Sequence, residues 1–188
     1  MQTDRRLLLA LLAALPLLAA TPARAAEAQV IDARVNLALE KLYASVPGAR
    51  DLAARARAML IMAGVVKGGF IVGGSYGEGA LRLNDAEAGY GDSVGYYSVA
   101  SASIGLQAGV QETSHVLFFL TDEALARFRR ADGWEIGADA EITALDKAAN
   151  IDMNTTVFRR PVVAMVFAGS GLLVGASLEG AKYSPIMR

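Results

Sequence analysis

Residues 59–83, reading MLIMAGVVKGGFIVGGSYGEGALRL, set seven glycines between positions 64 and 79 inside otherwise apolar sequence. Each interior glycine costs a helix about 1 kcal/mol relative to alanine, so a run this dense does not stay helical. It suits strands, where glycine permits bulges, positive φ and close backbone approach. Met59 to Val66 and Phe70 to Val72 therefore read as short strands bounded by glycine, and Glu78 to Leu83 as a weakly alternating one. Neither G-x-x-x-x-G-K-[ST] nor G-x-G-x-x-G occurs in the run, which argues against a phosphate cradle. Lys67 is the one charge between the two apolar runs. It either snorkels to the surface or offers its ammonium to an anion.

Ahead of the glycines the period is helical. Ile31, Val35, Leu39, Leu42 and Val46 recur at three- and four-residue steps, with polar residues between, which predicts a helix over 27–45. Pro47-Gly48 ends it, and a second helix is expected from Ala49 to about Arg57. The two form a helical hairpin at the front of the domain.

Behind the glycines the pattern is mostly strand. Asn84 to Gly95 reads as a loop, Tyr96 to Gln111 and His115 to Leu120 as strands, and Trp134 to Thr143 as another. Asp122 is expected to cap a short helix reaching Arg130. Val162 to Ala168, Gly169-Ser170-Gly171 and Leu172 to Leu178 read as a β-hairpin. The same segment is nearly uncharged, but a glycine turn suits a hairpin better than a membrane helix. The expected fold is α+β and mainly β. An N-terminal helical hairpin packs on a curved, mostly antiparallel sheet or barrel-like sandwich with one inserted helix.

The first 25 residues are read separately. Arg5-Arg6 precedes an apolar Leu/Ala run, and Ala23-Arg24-Ala25 is a small-x-small cleavage pattern. These are the three regions of a secretory signal peptide. Residues 26–188 are then one domain, and the expected compartment is periplasmic or extracellular. The chain has no cysteine, which removes disulfides, thiolate zinc sites and cysteine nucleophiles. Its net charge of −1 becomes slightly more negative without the leader, so nucleic acid is not an expected partner.

Candidate chemistry is sparse. His115 is the only histidine and stands next to Ser114, with no nucleophile-elbow motif around it. A Ser-His base pair competes with a partly buried or edge-strand histidine, and the latter is the better reading. Asp139 and Glu141 would share one strand face, as a paired-carboxylate site or as a solvated surface. Asp85, Glu87 and Asp92 share a loop without EF-hand spacing. No metal site and no cofactor is expected. Arg50, Arg55 and Arg57, with Lys67 and Arg82, are the nearest approach to a basic patch for an anionic headgroup. The competing reading is a solvated helix face.

Four stretches carry a family likeness: VVKGGFIVGGSYGEGAL at 65–81, VGYYSVASASIGLQAGVQ at 94–111, LFFLTDEALARFRRADGWEIGADA at 117–140 and GLLVGASLEGAKYSPI at 171–186. In these the chain resembles the SYLF domain family, particularly its bacterial secreted branch. The resemblance covers about residues 30–186. It implies a non-enzymatic lipid-binding module in which basic residues meet the membrane. On this chain Arg55, Arg57 and Lys67 lead into the matching glycine motif. Some eukaryotic members bind actin, but Tyr96-Tyr97 stands where those members tend to have tryptophan. An exported chain meets no cytosolic actin. The partner expected is an anionic phospholipid surface, or alternatively an envelope protein.

Overall fold

The computed structural model describes residues 20–69, 72–85, 87–104, 109–139, 143–145, 157–168, 171–173 and 178–188. Two helices lead, α1 (Ala20–Ser45) and α2 (Ala49–Arg55). Ile31, Val35, Leu39, Leu42 and Val46 are all buried, as their spacing predicts. Of the expected leader, residues 1–19 lie outside the described residues and residues 20–25 form the first turns of α1. α2 stops at Arg55, short of Arg57. Ala56 turns to the extended conformation, and the Arg57 N–H donates to the Phe119 carbonyl at 2.7 Å, which brings residue 57 to the sheet.

Among the described residues nine strands follow: β1 (Ala58–Gly69), β2 (Val72–Asp85), β3 (Gly89–Ile104), β4 (Gly109–Phe119), β5 (Trp134–Glu135), β6 (Thr143–Leu145), β7 (Val162–Ala168), β8 (Gly171–Leu172) and β9 (Lys182–Ile186). Helix α3 (Asp122–Arg130) sits between β4 and β5. The sheet order is β5-β9-β3-β2-β1-β4-β7-β6, with β8 on β7. All pairs are antiparallel except β6 with β7. The sheet is open and curled, in an α+β fold.

The centre is β1, flanked by β2 and β4. Ala58 to Ala63 is buried at every position. Met59, Ile61 and Ala63 pack against α1 and α2, together with Val116, Phe118, Val163 and Met165. Ala58, Leu60 and Met62 face the other way, toward Phe128, Trp134 and Tyr183. Burial on both faces explains why these strands read as unbroken apolar runs rather than alternating ones. On the second face Phe119, Phe128, Trp134, Tyr97 and Tyr183 form a connected aromatic group with ring centroids 4.8–6.2 Å apart.

The glycines do not cut β1 into pieces. The strand runs continuously through Gly64 to Gly69, and Gly64 (φ 68°) absorbs a bulge instead. Register shifts there against both neighbours, so Met62 and Val65 point into the same core. Phe70 and Ile71 lie outside the described residues. The expected loop at 84–95 is also mostly strand. β2 continues to Asp85, and the Asp85 carboxylate closes a tight turn by accepting the N–H groups of Glu87 and Ala88 at 2.8 and 2.9 Å. Glycines and acids at 89–95 fit a strand because the ladder slips at Leu81/Arg82 and Arg82/Asn84.

Other boundaries move for similar reasons. The single strand expected over Tyr96–Gln111 is the end of β3 and the start of β4, on either side of residues 105–108. The strand expected from Trp134 shrinks to β5, because Gly137 (φ 96°) turns the chain over residues 137–139; Ile142 lies outside the described residues. The cap of α3 is Thr121, whose hydroxyl accepts the Ala124 N–H at 3.2 Å; Asp122 is the first helical residue. The β7–β8 hairpin is present, with Gly171–Leu172 as its second strand among the described residues; residues 174–177 of the expected strand lie outside them. Among the described residues no helix is long and apolar enough to cross a membrane.

Close approach fixes one glycine. A Cβ on Gly79 would lie 2.0 Å from the Ile61 carbonyl oxygen, whereas one on Gly91 would meet nothing within 4 Å. Gly79→Ala is expected to destabilise the fold by about 3 kcal/mol, the upper range for overpacking, and Gly91→Ala by no more than about 0.5 kcal/mol. Urea unfolding of both variants checks this.

Candidate functional site

The short helix α2 projects its arginines outward. Leu52 and Ala53 are buried beneath it, while Arg50 and Arg55 are exposed. Its C-terminal carbonyls are held from the sheet side. The Asn84 side-chain amide donates to Ala56 O at 2.9 Å, and the Tyr90 hydroxyl donates to Ala53 O at 2.8 Å. Burial keeps the Tyr90 phenol well above its ordinary pKa, so it remains a neutral donor. These two bonds tie the C-terminal end of a seven-residue helix to the sheet and fix where its arginines stand.

Two of those arginines lie on aromatic rings. The Arg50 guanidinium is 4.5 Å from the Tyr43 ring centroid, and that of Arg55 is 4.1 Å from the Phe158 centroid. Phe158 belongs to a 3-10 turn, Val157–Arg159, whose Arg159 is exposed. Arg57 is exposed and makes a loose ion pair with Asp122 at 3.6 Å. Arg50, Arg55, Arg57 and Arg159 thus cluster at one end of the molecule, with Asp51 and Asp122 as nearby acids.

The other two expected basic residues are placed differently. Arg82 is opposite Met59 on β1 and Ser93 on β3, near this end but on the face under the helices. It is half-buried, and its Nε has no hydrogen-bond partner among the described residues. Lys67 is exposed but lies ten residues from Arg57 along β1, roughly 30 Å at strand rise. The single patch expected from Arg50 to Lys67 is therefore divided, with Lys67 at the opposite end of the strand. Sequence reasoning missed Phe158 and Arg159. They are distant in sequence from α2, and only an Arg-Arg pair at 159–160 hinted at them.

Ser114 and His115 are not assembled as a catalytic pair. Ser114 and His115 alternate across β4. The Ser114 hydroxyl accepts the Gly64 N–H at 3.2 Å, whereas His115 Nε2 meets the Tyr183 hydroxyl at 2.8 Å in the opposite core. His115 is fully buried on an interior strand, not half-buried or at an edge, because the strand end predicted at His115 lies within an eleven-residue β4. Burial pulls its pKa down to about 3. Asp139 lies in a turn and accepts the Glu135 N–H at 2.7 Å, while Glu141 lies outside the described residues. Among the described residues no three His, Asp or Glu side chains gather to hold a metal.

The described structure is thus an α+β sheet domain with an exposed arginine cluster at one end and with Ser114 and His115 on opposite faces of one strand. Residues 100–186, from the middle of β3 through β9, match the family model Ysc84, described as Las17-binding protein actin regulator, which is the same family as the SYLF domain. That family is one of binding modules and is not known for catalysis. The arginines of α2, Lys67 and Arg82 precede the matched segment. A comparison with curated proteins finds no match.

His115 supplies a test of the core around the site. Its folded pKa lies below its unfolded value of about 6.5, so the unfolded chain binds the extra proton. The stability this contributes is complete above pH 6.5 and falls away as pH drops toward 3. His115→Gln should flatten the stability–pH slope between pH 4 and 6.5 relative to the parent protein, read by chemical denaturation at each pH. Equal slopes would contradict the burial of a neutral imidazole.

Proposed function

We propose that the protein is a non-enzymatic lipid-binding domain of the bacterial envelope that lays its α2 end on an anionic phospholipid surface. The observation that carries this is the pair of stacked, exposed guanidinium groups of Arg50 and Arg55, which have no ion-pair partner among the described residues. Aromatic stacking holds the charged ends in place, so less side-chain entropy is lost when a phosphate is met. Arg57 and Arg159 extend the cationic surface, and Arg82 adds charge from just behind it. The family relation supports a binding role, and the leader-like residues 1–25 support a periplasmic or extracellular location. Lys67 takes no part in this surface.

A protein-interaction role in the envelope without lipid is the second reading. The words Las17-binding in the family description favour it, since they name a protein partner for that family.

Vesicles with anionic headgroups should sediment the protein at low salt, and binding should weaken as salt rises. At about 1 kcal/mol per arginine, replacing Arg50, Arg55 and Arg57 together by Gln should lower vesicle partitioning roughly hundredfold. A folded parent protein that stays in the supernatant at low salt would refute the lipid reading. A protein partner bound equally by the parent and the triple variant would favour the second.

A further inference from the structure

Helix α1 carries a second stripe besides its buried one. Val30, Arg34, Leu37 and Lys41 follow each other at three- and four-residue steps. Val30 and Leu37 are each 52% exposed, an unusual exposure for apolar residues beside a sheet. This stripe is exposed and lies along the rim of a groove. It overhangs the ends of β1 and β2 beyond the Gly64 bulge and borders three adjoining open depressions of about 350, 600 and 320 Å³. Arg34 lines all three.

The largest of these three is a trough. Its floor is the cross-strand pair Gly68↔Gly74, which presents no side chain, and its rim is the neighbouring pair Val66↔Tyr76. Val66 and Tyr76 are 46% and 55% exposed. The 320 Å³ cavity is a recess against the bulge, where Arg34, Lys41 and Ser114 converge over Gly64. Neither Arg34 nor Lys41 has a side-chain hydrogen bond or ion pair among the described residues. Glu112 enters the same recess, so the cations outnumber the acid there. Glu78, at the trough edge, is already held by Arg188 and Tyr76. The two places are complementary: a cationic recess opens into an apolar trough of the size that takes small ligands.

We infer that this groove binds a single acyl chain drawn from an anionic lipid, with the chain over Gly68 and Gly74 between Val66 and Tyr76 and the anionic head between Arg34 and Lys41. Charge complementarity selects the head, and the side-chain-free floor admits the chain. The inference takes its ligand class from the lipid reading above but uses a separate surface from the α2 arginines.

The test is a titration with a fluorescent monomeric fatty acid below its micelle concentration, alongside anionic-vesicle sedimentation. The parent protein is expected to bind one fatty acid. Gly74→Leu fills the floor, where a Cβ meets only the Ser101 carbonyl oxygen at 3.4 Å, and should weaken binding at least tenfold. Should that variant fail to fold, Leu37→Asp, on the exposed side of α1, is expected to give the same loss. Arg34→Gln with Lys41→Gln should weaken binding at least fivefold, and the Arg50/Arg55/Arg57 triple variant should leave it unchanged. No binding by the parent, or equal binding by Gly74→Leu and Leu37→Asp, would overturn the groove. Vesicle binding that survives such a result would leave the surface reading standing, whereas fatty-acid binding without vesicle binding would overturn the surface reading alone.

Discussion

The structure depends on one strand buried on both faces. From Ala58 to Ala63, β1 gives alternate side chains to a helix-side core and to an aromatic core, while its backbone is shared between β2 and β4. No polar side chain is tolerated along that length, and every neighbouring element takes its position from it. α1 and α2 lie over Met59 and Ile61, and α3 with β9 lies over Leu60 and Met62. The Gly64 bulge then shifts the pattern by one residue, so that beyond it Val66 faces the helix side and Lys67 the other. Two consequences follow: the far end of the sheet carries an exposed apolar row under α1, and Lys67 is carried away from the arginines.

Much of the fold was legible because its signals are local. The α1 heptad-like spacing, the Pro-Gly stop and the Thr-Asp-Glu start of α3 are decided by neighbours in sequence, and they appear where the pattern predicts. The errors arise where sequence punctuation has two uses. Glycine and aspartate at 84–95 signal a loop, yet in an antiparallel hairpin the same residues sit at ladder slips and beside a tight turn. Glycines at 64–69 signal strand ends, yet one of them takes up a bulge and the rest let a single strand continue.

The candidate site was legible only in part for a related reason. Arg50, Arg55 and Arg57 are close in sequence and remain close in space. Their supports are not: Phe158 arrives a hundred residues later, and Asn84 and Tyr90 reach across from a hairpin. Grouping Lys67 with the arginines assumed that sequence proximity survives folding. An extended strand defeats that, because ten residues of strand cover about twice the distance that ten residues of helix do. The same geometry removes Ser114 and His115 from consideration as a pair, since adjacent residues on a strand point to opposite faces.

The central claim is that the α2 end is the surface that meets an anionic membrane. Hydrogen–deuterium exchange of the protein with and without anionic vesicles reads it most directly. The account predicts slowed exchange in residues 49–57 and 157–160 when vesicles are present, reversed by high salt and absent with uncharged vesicles. Protection confined to other segments, or none anywhere under conditions where the protein sediments with the vesicles, would contradict it.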